Sequence, residues 1–260
     1  MSTLSNSLKP RLAAREPLYG CWLTLGSPAL AEALCHAGFD WLLIDMEHAV
    51  NHGRDVQDQL QAIAASHMPV EPIVRLPGNA PWFVKAALDA GVRTLMFPMI
   101  ETAEDAAAAV RSTRFPAPDA PDGTRGVAGM TRAGGFGNRP DYVRTANAQV
   151  AVLAQIESRR GLENVDAIVA TPGVDGLFIG PGDLAANLGH LGDSRSPDVQ
   201  EAIERIARAA EVAGKTCGIF VTDATAGKAS RAQGINMIAL SAEVMLLLRA
   251  ARQALQDVRN

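Results

Sequence analysis

Lysine is scarce in this chain: Lys9, Lys85, Lys215 and Lys228 are the only four in 260 residues, against 20 arginines. Cysteine is scarcer still. Cys21, Cys35 and Cys217 stand too far apart, in too apolar a setting, for a disulfide framework or a zinc cluster, and read as small buried hydrophobes. A formal net charge of −4 and a pI near 5.7 come without any basic stripe, so nucleic acid is not an expected partner. The N-terminus has no continuous apolar h-region, and no stretch reaches the roughly 20 apolar residues of a membrane span, which makes a cytoplasmic protein the expectation. A Gly-rich dinucleotide turn is missing too, since LTLGSPALAEA carries one glycine after the first apolar run. With 48% hydrophobic and 20% charged residues, the composition is that of a folded domain with a large core.

Eight short apolar runs punctuate the chain: residues 19–25, 40–45, 71–76, 94–99, 150–157, 175–180, 216–221 and 236–241. Ala-rich amphipathic stretches separate them, several ending in glycine, the expected helix stop. Strand and helix alternating eight times in about 250 residues is the pattern of a closed (β/α)8 barrel, a TIM barrel, filling residues 1–260 as one domain. An open doubly wound sheet is the alternative. Residues 1–17 read as an arm with a short helix laid across the N-terminal end of the barrel, and residues 242–257 as the last barrel helix. The Pro/Gly-rich stretch 115–142, between strands 4 and 5, is far longer than an ordinary connection. Its Arg125 and Arg132 either lean over the pocket or are solvated surface residues.

Polar residues fall repeatedly at the ends of the apolar runs. Asp45, Glu47 and His48 follow WLLI, Arg75 follows EPIV, Gln155 and Glu157 close AVLAQIE, and Asp183 follows DGLFIGPG. In a parallel barrel all strand C-termini open onto one face, so these segments share one pocket. Glu157 and Asp183 supply oxygen ligands suited to Mg²⁺, Mn²⁺ or Co²⁺; pairing with arginine, or Asp183 acting as a helix N-cap, are the structural alternatives. Gln155, two residues earlier, shares the strand face of Glu157. Arg75 either grips a substrate carboxylate or enolate oxygen or forms a buried ion pair with Asp45 or Glu47. The amides of Gly182 and Asp183 open a helix and offer a second anion feature. His48 is the candidate base, with Asp45 or Asp89 to orient its ring, unless it is structural. No lysine falls on a strand inside the barrel, which argues against Schiff-base chemistry. The turns VTDATAG and SAEVML lack the clustered glycines of a phosphate cup. A metal, an arginine, helix-terminal amides and one base describe a site for a 2-oxo acid and carbon–carbon cleavage.

From about residue 19 to 255 the chain resembles the HpcH/HpaI aldolase family, metal-dependent (class II) pyruvate aldolases related to the citrate lyase β subunit. The resemblance rests on GCWLTLGSP, DMEHAVN, IVRLP, ALDAG, TLMFPMIETAEDA, TRGV, QIESRRG and VDGLFIGPGDLA. It implies a barrel of the phosphoenolpyruvate/pyruvate type and an aldolase of the 4-hydroxy-2-oxoheptanedioate or 2-keto-3-deoxy acid kind. By the same resemblance, Glu157 and Asp183 are metal ligands with Gln155 beside them, and Arg75 faces the keto and enolate oxygen. His48 is the acid/base, polarised by Asp89 of a neighbouring subunit, and the Gly182 and Asp183 amides hold the carboxylate. Family members are typically homohexamers that exchange the last barrel helix. Phe220, the leucines at 246–248 and the 125–139 loop are expected to set aldehyde preference, although Phe220 fits plain barrel core equally well. The implied reaction is reversible cleavage of a 4-hydroxy-2-oxo acid to pyruvate or hydroxypyruvate and an aldehyde. Oxaloacetate decarboxylase and citramalyl-CoA-type lyase activity are the enzymatic alternatives. A non-catalytic 2-oxo acid binding protein is the other, and it would be expected to lose the metal pair or the base, which this chain keeps.

Overall fold

The computed structural model describes residues 5–259, so the first four residues of the expected N-terminal arm lie outside the described residues. Eight strands run β1 Leu18–Leu23, β2 Trp41–Asp45, β3 Glu71–Arg75, β4 Thr94–Phe97, β5 Ala151–Ile156, β6 Gly176–Ile179, β7 Thr216–Val221 and β8 Met237–Ala242. Neighbours pair in parallel and in sequence order, and β8 returns to β1, which closes the barrel. Each strand lies within two residues, at either end, of an expected run. The helices are α1 Leu8–Ala13, α2 Pro28–Cys35, α3 Gly53–Ala65, α4 Pro81–Ala90, α5 Ala103–Thr113, α6 Tyr142–Gln149, α7 Arg159–Glu163, α8 Val165–Ala170, α9 Pro181–Leu188, α10 Pro197–Val212, α11 Ala224–Ala232 and α12 Glu243–Arg259.

Local chemistry sets several of these boundaries. Prolines open α2, α4, α9 and α10, where the missing N–H has no partner to lose and the fixed φ suits a first helical turn. Alternation along the strands divides the core in two. Leu42, Ile44, Val74, Leu95 and Ile219 face outward under the helices, while Trp41, Leu43, Ile73, Met96 and Phe178 fill the barrel interior. Large rings fit inside because glycines face them: a Cβ on Gly20 would overlap the Trp41 ring, and one on Gly218 would overlap Phe178.

Helix α1 seals the N-terminal end of the barrel. Leu8 and Leu12 join the interior core, Lys9 Nζ donates to Val150 O at 2.8 Å, and Thr216 Oγ1 donates to Leu12 O at 2.8 Å. A site inside the barrel therefore opens only at the strand C-termini.

One expectation changes here. Arg125 and Arg132 do not lean over the mouth of their own barrel. Arg125 is buried, donating to Asp89 Oδ1 at 3.0 Å and Tyr142 Oη at 2.6 Å, with its guanidinium 4.1 Å above the Phe115 ring. Arg132 donates to Ala90 O, at the end of α4, at 2.8 Å. The physical reason is direction: the long segment follows helix α5, and a connection from helix to strand emerges at the N-terminal face. Helix α12, the last barrel helix, stands clear of its own barrel over most of its length. Every residue from Leu247 to Arg259 is exposed, including Leu248, Leu255 and Val258.

Gly218→Ala tests the packing of the interior. Forcing a methyl against Phe178 should cost about 1–3 kcal/mol, the usual range for overpacking, and lower the thermal midpoint. An unchanged midpoint by circular dichroism would contradict the close fit.

Candidate active site

Arg75 ends β3 with a side chain that is 4% exposed. Its Nε and Nη2 donate to the two oxygens of Asp45 at 2.8 and 2.7 Å, and Nη1 lies 2.7 Å from Glu47 Oε2. The guanidinium carbon sits 4.2 Å above the Trp22 ring. Trp22 meets Phe220 edge-on at 5.2 Å and Phe178 at 6.2 Å. Phe220 is half-buried and packs on the interior core beside Trp22. Asn51 braces the turn after β2, its Nδ2 donating to Leu23 O and Asp45 O at 3.1 and 2.7 Å.

This arrangement corrects the expectation for His48. Asp45 has both oxygens on Arg75, and Asp89 is paired with Arg125 at the end of α4, so neither orients His48 within the chain. His48 is an exposed imidazole whose Nε2 stands 4.0 Å from Glu47 Oε1. His52, by contrast, is occupied as the N-cap of α3.

Glu157 is buried just past β5. Its Oε1 accepts from the Met99 amide at 2.9 Å and its Oε2 from Gln155 Nε2 at 2.6 Å. Met99 adopts a φ of 50°, unusual for a residue with a side chain, and that turn presents its N–H to the carboxylate. Gly180 makes the approach possible, because a Cβ there would overlap Glu157 Oε2. Burial, reinforced by the neighbouring Glu47 and Asp183 charges and opposed by the Met99 amide and Arg75, pushes the Glu157 carboxyl up to about 7. Burial also raises Glu47, against the pull of Arg75 and His48. Asp183 is the third residue of α9; Gly180 holds the N-cap position, so Asp183 is not the cap. The amides of Gly182 and Asp183 belong to the first turn of that helix, where no acceptor exists inside the helix.

A divalent cation fits this mouth on two observations. The charges of Asp45 and Asp183 bear on Glu47, and those of Glu47 and Asp183 on Glu157, beside the guanidinium of Arg75. Beside Glu157, the buried Gln155 Oε1 has no hydrogen-bond partner, an orphaned acceptor at the place where a hydrated ion or substrate would donate. Among the described residues, no three His, Cys, Asp or Glu side chains are grouped to hold a metal alone.

Residues 18–250 match the family model for HpcH/HpaI aldolase/citrate lyase. The chain belongs to that family. It is 60% identical over 260 residues, the full length of both chains, to a hydroxypyruvate/pyruvate aldolase of Paraburkholderia phytofirmans. It is 44% identical over 252 residues to a 5-keto-4-deoxy-D-glucarate aldolase of Salmonella paratyphi C, covering 97% of this chain and 96% of the relative. A crystal structure of an HpcH/HpaI aldolase/citrate lyase family protein from Burkholderia cenocepacia superimposes with a TM-score of 0.97 at 62% identity, covering 98% of this chain and 100% of the other. The protein is therefore an aldolase, a carbon–carbon lyase, and the family is one of metal-dependent class II enzymes.

Within this aldolase Asp45, Glu47 and Arg75 form one ion cluster and Gln155 meets Glu157, while Trp22, Met99 and Gly180, which contact them, were not singled out from the sequence. Trp22 shares its strand face with Gly20, a signal available in the alternation of β1. The left-handed turn at Met99 has no signal, because methionine gives no reason to expect one.

Stability should depend on pH through Glu157. A carboxyl raised from 4.5 to about 7 binds its proton more tightly folded than unfolded, so stability falls as pH rises through that window. In EDTA the wild type should lose up to about 3 kcal/mol from this group between pH 4.5 and 8. Glu157→Gln should flatten that slope in denaturant titrations, and an unchanged slope would contradict the assignment.

Proposed function

We propose that this aldolase reversibly cleaves 4-hydroxy-2-oxo acids to an aldehyde and pyruvate or hydroxypyruvate, with Glu157 and Asp183 holding a divalent cation, Mg²⁺, Mn²⁺ or Co²⁺. The observation that carries the reading is the unpartnered Gln155 Oε1 beside a Glu157 whose proton affinity burial has raised. The Paraburkholderia relative, a hydroxypyruvate/pyruvate aldolase, supports the donor choice. Hard oxygen donors suit these ions, and a bound cation would draw off the negative charge that develops on the 2-oxo oxygen.

The chain's own residues account for the other requirements. Arg75 is held in place by Asp45 and Glu47 before any substrate arrives, so its remaining N–H bonds meet the keto oxygen and stabilise the enolate without reorganisation. The Gly182 and Asp183 amides receive the substrate carboxylate at the start of α9. His48 takes the C4 hydroxyl proton as the C3–C4 bond breaks; its electron pair passes into the enolate, and protonation at C3 gives pyruvate. Asp89 would polarise His48 from a neighbouring copy. Phe220 and Trp22 border the aldehyde side, and the leucines of α12 meet other subunits in a homohexamer, a role their exposure in the single chain supports.

Pyruvate release from 4-hydroxy-2-oxo acids of graded chain length should vanish after EDTA treatment and return with Mg²⁺, Mn²⁺ or Co²⁺; release without metal would reject the Glu157/Asp183 site. His48→Ala should lower kcat by about 10²–10⁴ while metal binding, read by calorimetry, stays intact. Unchanged turnover would remove His48 from the mechanism. Leu248→Glu with Leu255→Glu should break the assembly in light scattering, and an unaltered mass would show that α12 is not an interface.

A further inference from the structure

Helix α4 follows β3 and runs back from the mouth, as the helix after a barrel strand does. Asp89 lies one residue before its end, about 12 Å along the axis from Pro81 at the usual rise of roughly 1.5 Å per residue, so it points its carboxylate away from its own Arg75. Three contacts from the long 115–142 segment converge there. Arg125 Nη2 donates to Asp89 Oδ1 at 3.0 Å, the Ala133 amide donates to Asp89 O at 3.2 Å, and Arg132 Nη1 donates to Ala90 O at 2.8 Å. Asp89 Oδ2 accepts no hydrogen bond among the described residues, and the side chain stays 22% exposed.

Arg125 is itself held from its other sides. Its side chain is 1% exposed, Nη2 also donates to Tyr142 Oη at 2.6 Å, and the guanidinium carbon lies 4.1 Å above the Phe115 ring. Phe115 meets Tyr142 edge-on at 6.0 Å, and the Asn147 side chain takes up both the amide and the carbonyl of Phe115, at 2.8 and 2.9 Å. Stability alone does not account for this arrangement. Arg125 Nε is buried without a hydrogen-bond partner among the described residues, and a buried ion pair seldom outweighs the desolvation of its members. What it supplies is direction, since one carboxylate oxygen of Asp89 is tied down and the other is left to meet something else.

We propose that Arg125 is a positioning residue for catalysis, a clamp on Asp89 that holds its second oxygen ready for the His48 imidazole of a neighbouring copy, with the 115–142 segment as the frame of the clamp. The inference rests on the roles given above to His48 and Asp89. A carboxylate already fixed by one oxygen orients the imidazole and stabilises the imidazolium formed as His48 takes the C4 hydroxyl proton, with no side chain left to immobilise in each turnover.

Steady-state cleavage of a 4-hydroxy-2-oxo acid with saturating Mn²⁺, compared among wild type, Arg125→Gln, Asp89→Asn and the double variant, tests the clamp. Arg125→Gln should lower kcat about tenfold or more, with KM and the calorimetric Kd for Mn²⁺ within about twofold of wild type. In the Asp89→Asn background the same substitution should lower kcat no further, because the clamp then has nothing to orient. A guanidinium that only holds the segment together would lower kcat by the same factor in both backgrounds. That result, or a wild-type kcat in Arg125→Gln beside a low one in Asp89→Asn, overturns the clamp and leaves Asp89 in place. Full turnover in Asp89→Asn would instead remove Asp89 from the mechanism and the clamp with it. If Arg125→Gln fails to fold, Arg125→Lys, which keeps the charge without the fixed fork, decides by the same comparison.

Discussion

The Arg75 guanidinium sits at the end of a central barrel strand, nearly out of reach of water, and three neighbours fix it: both oxygens of Asp45, one oxygen of Glu47 and the face of Trp22. The rest of the mouth depends on that ion cluster. A buried guanidinium needs such partners, and removing one side of a buried pair is typically costly, on the order of 3–5 kcal/mol. Asp45 and Glu47 are committed to Arg75, and Glu157 and Asp183 are the carboxylates of the proposed cation site. The buried Glu157 feels the Glu47 and Asp183 charges more than it feels Arg75. One positive charge therefore organises the site without saturating it.

The barrel makes this cluster affordable in structural terms. Helix α1 closes the N-terminal end, interior glycines admit Trp41 and Phe178, and the resulting solid interior leaves the strand C-termini as the one opening. Short βα turns then carry chemistry: the turn after β2 bears Glu47 and His48, the turn after β4 aims the Met99 amide, and the turn after β6 contributes Gly180 and the first turn of α9. The opposite face carries one long connection, between α5 and β5, which includes helix α6.

The strands were legible because apolar runs of four to eight residues recur between amphipathic stretches, and a closed barrel follows from eight such repeats. Asp45, Arg75, Gln155 and Glu157 could be placed at the barrel mouth because each ends a run on the interior face. Pairwise geometry was less so. Sequence left Arg75 open between an ion pair and a substrate grip, and the structure makes the ion pair with both acids while keeping the guanidinium at the mouth. The direction of the 115–142 segment was misjudged although the helical pattern of TAEDAAAAVRST before it marks a helix-to-strand connection. For α12 only the family resemblance suggested exchange, since an amphipathic period is the same whether its apolar face meets its own barrel or another copy.

In the proposed reaction a divalent cation and Arg75 together stabilise the pyruvate enolate at this mouth. Exchange of the pyruvate methyl protons in D₂O, followed by NMR without any aldehyde present, reports that step directly. The account predicts exchange in the wild type with added Mn²⁺ or Mg²⁺, none above background in EDTA, and strong loss in Arg75→Lys, where one ammonium replaces the oriented fork. Exchange that is equally fast in EDTA, or unaffected in Arg75→Lys, would contradict it.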